Sequence, residues 1–589
     1  MKNTAKRFKG GCLALCFCLL ATGCNYPVSA GLAPTRIPEP TQFSAAPTDQ
    51  NLPDSPSPSP TSEVTPSPTP LPDFTIWLNP TAPAGLISQV TLPDGLHSAN
   101  QANDALFSLD FGNSPGLKKE TIKNIDWIYA LVAPFPSLVD GVTSDELAQA
   151  WKGKAQAVFK DKPLLVDQNT EAVFEAIWGP PGANAVRILP AGRLLDEAWN
   201  SRPSWGLQPF ESLEPKWKVL TVDGQSPLHK DFDPSLYSLA VHMALTGESQ
   251  AAELLKEVKA VDLAGLIPST NRDPKKMTIL LMTGVTGLVR ATAARMEKNG
   301  VNYPGQDIVD WLRSGDFTHI SNEVSFSSDC PYPNASSTSL LFCSRDAYIG
   351  LLDFVGANII ELTGNHNLDW GKAAAQATLD LYHQRGWFTF GGGGNLEEAQ
   401  KPLLVDHNGN HLALIGCNLV GPVGAWATDT QPGAAPCGDY QWMLSQILTL
   451  RSAGFLPVVT FQYSENYTDT PGYQEKVDYR KMVDAGAIIV NGSQAHTPKS
   501  MEFYDDGFIH YGLGNLFFDQ MHVQVGENLI STTRDEFIDR HIFYNGRYIS
   551  SELLTARLED FARPRPMTPA ERATFLTTIF TASGWYNGP

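Results

Sequence analysis

From about Phe74 to Pro268, short apolar runs of β type alternate with helical stretches. WIYALVAP (Trp127 to Pro134), AVRILPAG (Ala185 to Gly192) and KWKVLTVDG (Lys216 to Gly224) read as strands, bounded by Pro or Gly. SDELAQAWKG (Ser144 to Gly153) reads as a helix, with Ser144 as N-cap and a glycine stop. This alternation predicts an α/β domain. The polar, proline-bounded stretch from Pro268 to Pro274 closes it and is expected to be a join crossed by few contacts.

A second series begins with the strand MTILLMTGV at Met277. VGANIIELTGNHNLDWG (Val355 to Gly371) reads as strand and turn, followed by the helix KAAAQATLDLYHQRG. HLALIGCN (His411 to Asn418) and FLPVVTFQYS (Phe455 to Ser464) are aliphatic strands, and DYRKMVDAGAIIVNGSQAH (Asp478 to His496) is helix, glycine stop, strand and loop. Strands that are apolar almost throughout are expected to be covered on both faces by helices. Their polar motifs fall just after the strands, where open α/β sheets place ligands.

The residues ahead of Phe74 read differently. Lys2, Lys6, Arg7 and Lys9 form a basic n-region, and Cys12 to Leu20 is an apolar run too short to span a bilayer. Leu20-Ala21-Thr22-Gly23-Cys24 resembles a lipobox, which makes residues 1–24 a lipoprotein signal and Cys24 the acylated residue. The alternative is a plain secretory signal cut near Ala30. Residues 25–73 are rich in Pro, Ser and Thr, with almost nothing to bury, and are expected to form a disordered tether. The expected location is the extracytoplasmic side of the cell membrane, with the lipid as membrane partner.

Composition narrows the partners. The 43 Lys and Arg against 62 Asp and Glu leave a net charge of −19, which argues against nucleic acid as a partner. Four cysteines, Cys330, Cys343, Cys417 and Cys437, follow the leader. In an oxidising compartment their spacing favours Cys330–Cys343 and Cys417–Cys437 bridges, with buried free thiols as the alternative. No CxxC or Cys–His spacing suggests zinc. Gly391 to Gly394 lacks the Lys-Ser or Lys-Thr of a phosphate loop and reads as a turn into a helix capped by Asn395.

Seven motifs occur in a fixed order: MTGVTGLVR, SNEVSF, TGNHNLDWG, FGGGGNLEEAQKPLLV, TFQYSENY, NGSQAHTP and YGLGNLFFD. Together they resemble the CapA family of poly-γ-glutamate capsule biosynthesis proteins, which is related to calcineurin-like metallophosphoesterases. The resemblance implies an α/β/β/α sandwich over residues 277–589, preceded by a separate α/β domain over 74–268. The segments ALVAPFPSLVDGVTSDELAQAWKG and TVDGQSPLHKDFDPSLYSLAVHMAL of that first domain resemble periplasmic phosphate-binding-type receptors. An α/β domain of unrelated ancestry is the other reading.

The resemblance also implies a site. Its motif positions make Glu323, Asn365 and His496 metal ligands, His366 and His496 catalytic groups, and Arg290, Asn322, Gln462, Gln494 and Asn515 substrate contacts. Carboxylate, amide and imidazole on separate loops can surround a cation that polarises an ester or amide and activates water. Taken singly, Glu323 reads as a cap or surface acid, His366 as a hydrogen-bonded core histidine and His496 as a solvated loop residue.

The departures weigh against a full cluster. Where the family has a strand-end Asp this chain has Val285, and Gln462, Ser493 and Gln494 replace histidines. The expectation is a degenerate site holding at most one weakly bound divalent ion, Mn²⁺, Mg²⁺ or Zn²⁺. Val285→Asp with Gln494→His is expected to strengthen binding unless apolar side chains have repacked the pocket. The functional expectation is a lipid-anchored envelope protein acting in surface-polymer synthesis, export or anchoring, with the polymer or its synthesis machinery as partner. If it is an enzyme, it is a metal-dependent phosphoesterase-like hydrolase or transferase. The alternative is a non-catalytic binding or sensor module.

Overall fold

The computed structural model describes residues 73–112 and 120–586. The leader with Cys24, and the tether as far as residue 72, lie outside them.

The first lobe is organised around one nine-stranded mixed sheet. Its spine is the strand Glu120–Pro134, buried at every residue from Trp127 onward. It pairs antiparallel with Ala240–Gly247 on one side and with Trp205–Pro209 on the other. Beyond Trp205–Pro209, Leu164–Val166 and Val186–Ile188 continue the sheet in parallel. The helix Ser144–Trp151 starts as expected, but its cap is Thr143, not Ser144. The capping box requires a glutamate three residues after the cap, and only Thr143 has one: its hydroxyl accepts from Glu146 N at 3.2 Å, while the Glu146 carboxylate accepts from Thr143 N at 2.8 Å.

The second lobe stacks two sheets. In the first, Phe388–Phe390, Ile359–Glu361, Phe317–Asn322 and Met277–Thr283 run parallel, and Asp535–Tyr544, Arg547–Glu559 and Arg563–Pro566 extend it antiparallel. In the second, Asn410–Asn418, Leu456–Gln462, Ile489–Asn491 and Gly507–His510 run parallel between two antiparallel edge strands. Period-two alternation divides each strand between two cores. Leu280, Met282, Leu412, Leu414 and Val458 face the space between the sheets. Leu281, Ile320 and Ile360 face outward onto helices carrying Met296, Leu352 and Leu379. Ile415, Val459 and Val490 meet the opposite helical layer at Met443, Ile447 and Met482. The architecture is the expected α/β/β/α sandwich, preceded by an α/β lobe.

Cys330–Cys343 and Cys417–Cys437 are both bridged, with Cα–Cα separations of 5.7 and 5.0 Å. Asn395 caps the helix Leu396–Gln400 by accepting from Glu398 N at 2.9 Å.

The expectation of few contacts at the join is corrected. Met277, Ile279, Ile542, Tyr544 and Ile549 belong to the same buried core as Ile125, Trp127 and Phe210. The polar stretch that reads as a linker is itself buried at Asn271 and Arg272. Asn271 brackets the Ile128 peptide, accepting from its N at 2.8 Å and donating to its O at 2.9 Å. Tyr544 Oη donates to Asn271 O at 2.8 Å and accepts from Asp273 N at 2.9 Å. Polar side chains here satisfy buried backbone and do not solvate a hinge.

Candidate functional site

The parallel strands of both sheets end on the same side, and their loops interlock there. Ser493 Oγ donates to Glu361 Oε1 at 2.7 Å, Gln494 Nε2 to Ser321 Oγ at 2.6 Å, and Asn418 Nδ2 to Thr363 O at 2.8 Å. Each bond joins a strand end of one sheet to a strand end of the other. Glu361 is held further by His319 Nε2 at 2.9 Å and by Thr363 Oγ1.

Into this junction the structure brings Glu323, His366 and His496. Glu323 follows the strand Phe317–Asn322 and is fully buried. Gly364 packs so tightly on it that a Cβ there would lie 2.4 Å from Glu323 Cβ. Two residues on, His366 forms a backbone bridge with Val324. Its Nδ1 is 2.7 Å from Asp369 Oδ2, and its ring lies 4.4 Å from that of Phe342. His496 reaches Asn515 Oδ1 through Nδ1 at 2.8 Å, stacks on Phe518 at 5.1 Å, and turns Nε2 toward Glu465 at 3.6 Å. Asn365, in the turn between Gly364 and His366, is half-buried.

Charge follows this geometry. Burial alone would lower the His496 pKa, but the Glu465 carboxylate, with help from Glu323, raises it to about 9. The His496 side chain in turn holds Glu465 down at about 2. Burial raises the Glu323 pKa against the pull of His366 and His496. His366 is raised on balance: burial opposes its charge, and Asp369 and Glu323 favour it.

The remaining expected contacts divide. Arg290 forms a two-pronged pair with Asp519, Nη2–Oδ1 2.5 Å and Nε–Oδ2 3.2 Å, and lies over the Phe342 and Phe518 rings at 4.9 and 5.2 Å. It does so at a φ of 43°, a left-handed conformation rare for a side chain of its size. Asn515 is spent on His496 and on the Thr533 carbonyl at 3.0 Å. Asn322 donates to Val324 O and Tyr382 Oη, both at 2.8 Å. Val285 sits at 0% exposure in a small apolar cluster with Val289, Val324, Phe342 and Phe518. The end of this strand is therefore closed by apolar packing.

Several buried oxygens nearby have no hydrogen-bond partner among the described residues: Asn322 Oδ1, Glu323 Oε1, Gln462 Oε1 and Gln494 Oε1, with both polar atoms of the Asn491 side chain. Native interiors rarely leave such groups unmatched, although unmatched buried polar atoms also occur away from this junction, at Tyr237, Gln446 and Arg540. The donor set does not fit a two-cation cluster. Among the described residues no three His, Cys, Asp or Glu side chains converge as ligands.

Glu465, Asp369 and Asp519 were not anticipated as site residues. Each lies inside a quoted motif, TFQYSENY, TGNHNLDWG and YGLGNLFFD. Asp369 was signalled by its place three residues after His366, whereas Glu465 and Asp519 lie 31 and 229 residues from His496 and Arg290 and no spacing marked them.

Residues 279–520 match the family model described as bacterial capsule synthesis protein PGA_cap. Over these residues the chain is similar to that family. The match covers the sandwich from its first strand to Gln520, and so includes every residue of the junction. Among curated relatives, the chain is 23% identical over 309 residues to "Capsule biosynthesis protein CapA" of Bacillus anthracis, covering 51% of this chain and 72% of that protein. It is 25% identical over 227 residues to "PGA biosynthesis protein CapA" of Bacillus subtilis, covering 38% of this chain and 59% of that protein. Among solved structures, it is similar to a phosphate transport receptor from Vibrio cholerae, at 15% identity, TM-score 0.26, 32% of this chain and 92% of that one. It is also similar to a putative 5'-nucleotidase from Staphylococcus aureus, at 12% identity, TM-score 0.31, 51% of this chain and 58% of that one.

Proposed function

We propose that this protein acts in the synthesis, export or anchoring of a capsule-type surface polymer, from the outer side of the cell membrane, where a lipid on Cys24 holds it. The capsule-family match over residues 279–520 supports the polymer role, and two relatives are named as CapA proteins of capsule or PGA biosynthesis. The observation that carries the mode of action is the strand-end junction. It offers unpaired amide and carboxyl oxygens and two histidines held by carboxylates, with an apolar cluster where a metal-binding Asp would stand. Such a surface recognises N–H and O–H groups of a polymer; a cation, where one binds, is single and loosely held. Binding of poly-γ-glutamate and of cell-surface polysaccharide to the purified chain tests this. Affinity that falls when Gln494 is changed to Ala, in protein lacking stoichiometric metal by elemental analysis, supports it. Unchanged binding in that variant overturns it.

A catalytic reading draws on one observation. His366 is oriented by Asp369 beside a buried Glu323 whose pKa burial raises, an arrangement able to pass a proton to or from a substrate. Under that reading His366→Ala abolishes a turnover of phosphodiester or glutamyl amide that the wild type performs.

A further inference from the structure

A cavity lies where the two lobes meet, away from the junction of strand ends. It encloses about 250 Å³, somewhat below the roughly 300 Å³ at which drug-sized pockets begin. One wall is charged and comes from both lobes. Lys218 Nζ donates to Asp140 Oδ1 at 2.6 Å and to Ser137 O at 2.8 Å. Arg572 clasps the same Asp140 with Nε and Nη2, both at 2.8 Å. Arg540 Nη1 donates to Glu552 Oε2 at 2.9 Å, and His229 Nε2 lies 3.0 Å from Glu552 Oε1. The opposite wall is apolar, formed by Phe135, Leu553, Met567, Leu576 and Phe580.

The charges do not cancel. Not counting His229, Lys218, Arg540 and Arg572 face Asp140, whose side chain is 54% exposed, and the more buried Glu552, which leaves one positive charge over. Two donors are also left over. Arg540 is 7% exposed, and its Nε has no hydrogen-bond partner among the described residues. The Lys218 ammonium carries three N–H groups, of which two are used. Burial, with Arg572 nearby, lowers the Lys218 pKa to about 8 despite Asp140, as expected of a cation short of countercharge.

We infer that this interlobe cavity binds a small monocarboxylate with an apolar body, its two oxygens taken by Arg540 Nε and Lys218 Nζ and its body lying on Phe135, Met567 and Phe580. A fully hydrated dianion suits it poorly, because one surplus charge and an apolar wall would not repay a second lost hydration shell. The site is independent of the capsule-polymer reading, since none of its residues belongs to the strand-end junction.

Titration of the full chain with phenylacetate, its neutral isostere phenylacetamide, and inorganic phosphate tests this. Phenylacetate is expected to bind saturably, shifting the Met567 methyl resonance, with the amide about tenfold weaker or more, as loss of a charge-assisted pair implies. Lys218→Met is expected to remove binding, and the wild-type methyl shift keeps the test valid if that variant does not fold. Equal binding of acid and amide, an unmoved Met567 methyl, or phosphate binding as tightly as phenylacetate overturns the assignment.

Discussion

His496 and Glu465 form an ion pair at the mouth of the strand-end junction, Nε2 to Oε1 3.6 Å, with the histidine buried and the carboxylate side chain 39% exposed. The pair raises one pKa and lowers the other, to about 9 and about 2. The His496 contribution to stability is complete below its ordinary value of 6.5 and is lost as pH rises through about 9. The Glu465 contribution is complete above its ordinary 4.5 and is lost as pH falls through about 2. Both are present together from pH 4.5 to 6.5. An NMR titration is expected to place the His496 midpoint near 9 in the wild type. In Glu465→Gln it falls, because burial then acts with less opposition. An unmoved midpoint counts against the pairing.

A carboxylate placed at Val285 is not expected to build a cation site. An Asp there is surrounded by Val289, Val324, Phe342 and Phe518, and an unpaired buried charge costs about 3 kcal/mol or more. Val285→Asp therefore unfolds at lower temperature than the wild type, and Mn²⁺ at millimolar concentration does not restore it. Recovery of the melting temperature on adding Mn²⁺ would show that a cation site survives.

Gly364→Ala tests how the turn is set. The new methyl would lie 2.4 Å from Glu323 Cβ and 2.5 Å from its Cα. Backbone cannot yield as a flexible side chain can, so Glu323 and His366 are driven apart. The expected result is a loss of stability of about 1–3 kcal/mol, with a His366 pKa that drops toward 6.5 as Glu323 recedes. A variant as stable as the wild type, with His366 unchanged, rejects the close packing.

Asn271→Ala removes both hydrogen bonds to the Ile128 peptide. Two buried backbone groups are left unmatched, at about 1–3 kcal/mol each. Trypsin is expected to spare Arg272 in the wild type and to cut there in the variant. Cleavage of native wild type at Arg272 would restore the reading of this stretch as a linker.

Sequence pattern made the layers of the second lobe legible because its strands are apolar over their full length. Met277–Thr283 and Leu456–Gln462 are buried at every residue, as a parallel sheet demands when helices cover one face and a second sheet the other. The junction was legible at Glu323, His366 and His496, since loops after parallel strands must meet on one side. Composition could not reveal that Val285 is enclosed, because it is packed by Phe342 and Phe518, more than fifty and two hundred residues away in the chain. The join was misread for a related reason. Polar residues look alike in a sequence whether they face water or, like Asn271, a buried peptide.

The shared core has a consequence for the order in which this chain becomes native. The first lobe's hydrophobic centre contains Ile542, Tyr544 and Ile549, supplied by the hairpin of Asp535–Tyr544 and Arg547–Glu559. A nascent chain emerging from its N-terminus holds Trp127 and Phe210 incompletely covered until more than three hundred further residues have followed. Domain-by-domain maturation, the usual protection of long chains, is closed to it. Amide exchange has a simple signature for this: Ile128 and Ile542 open together, at one rate set by the whole.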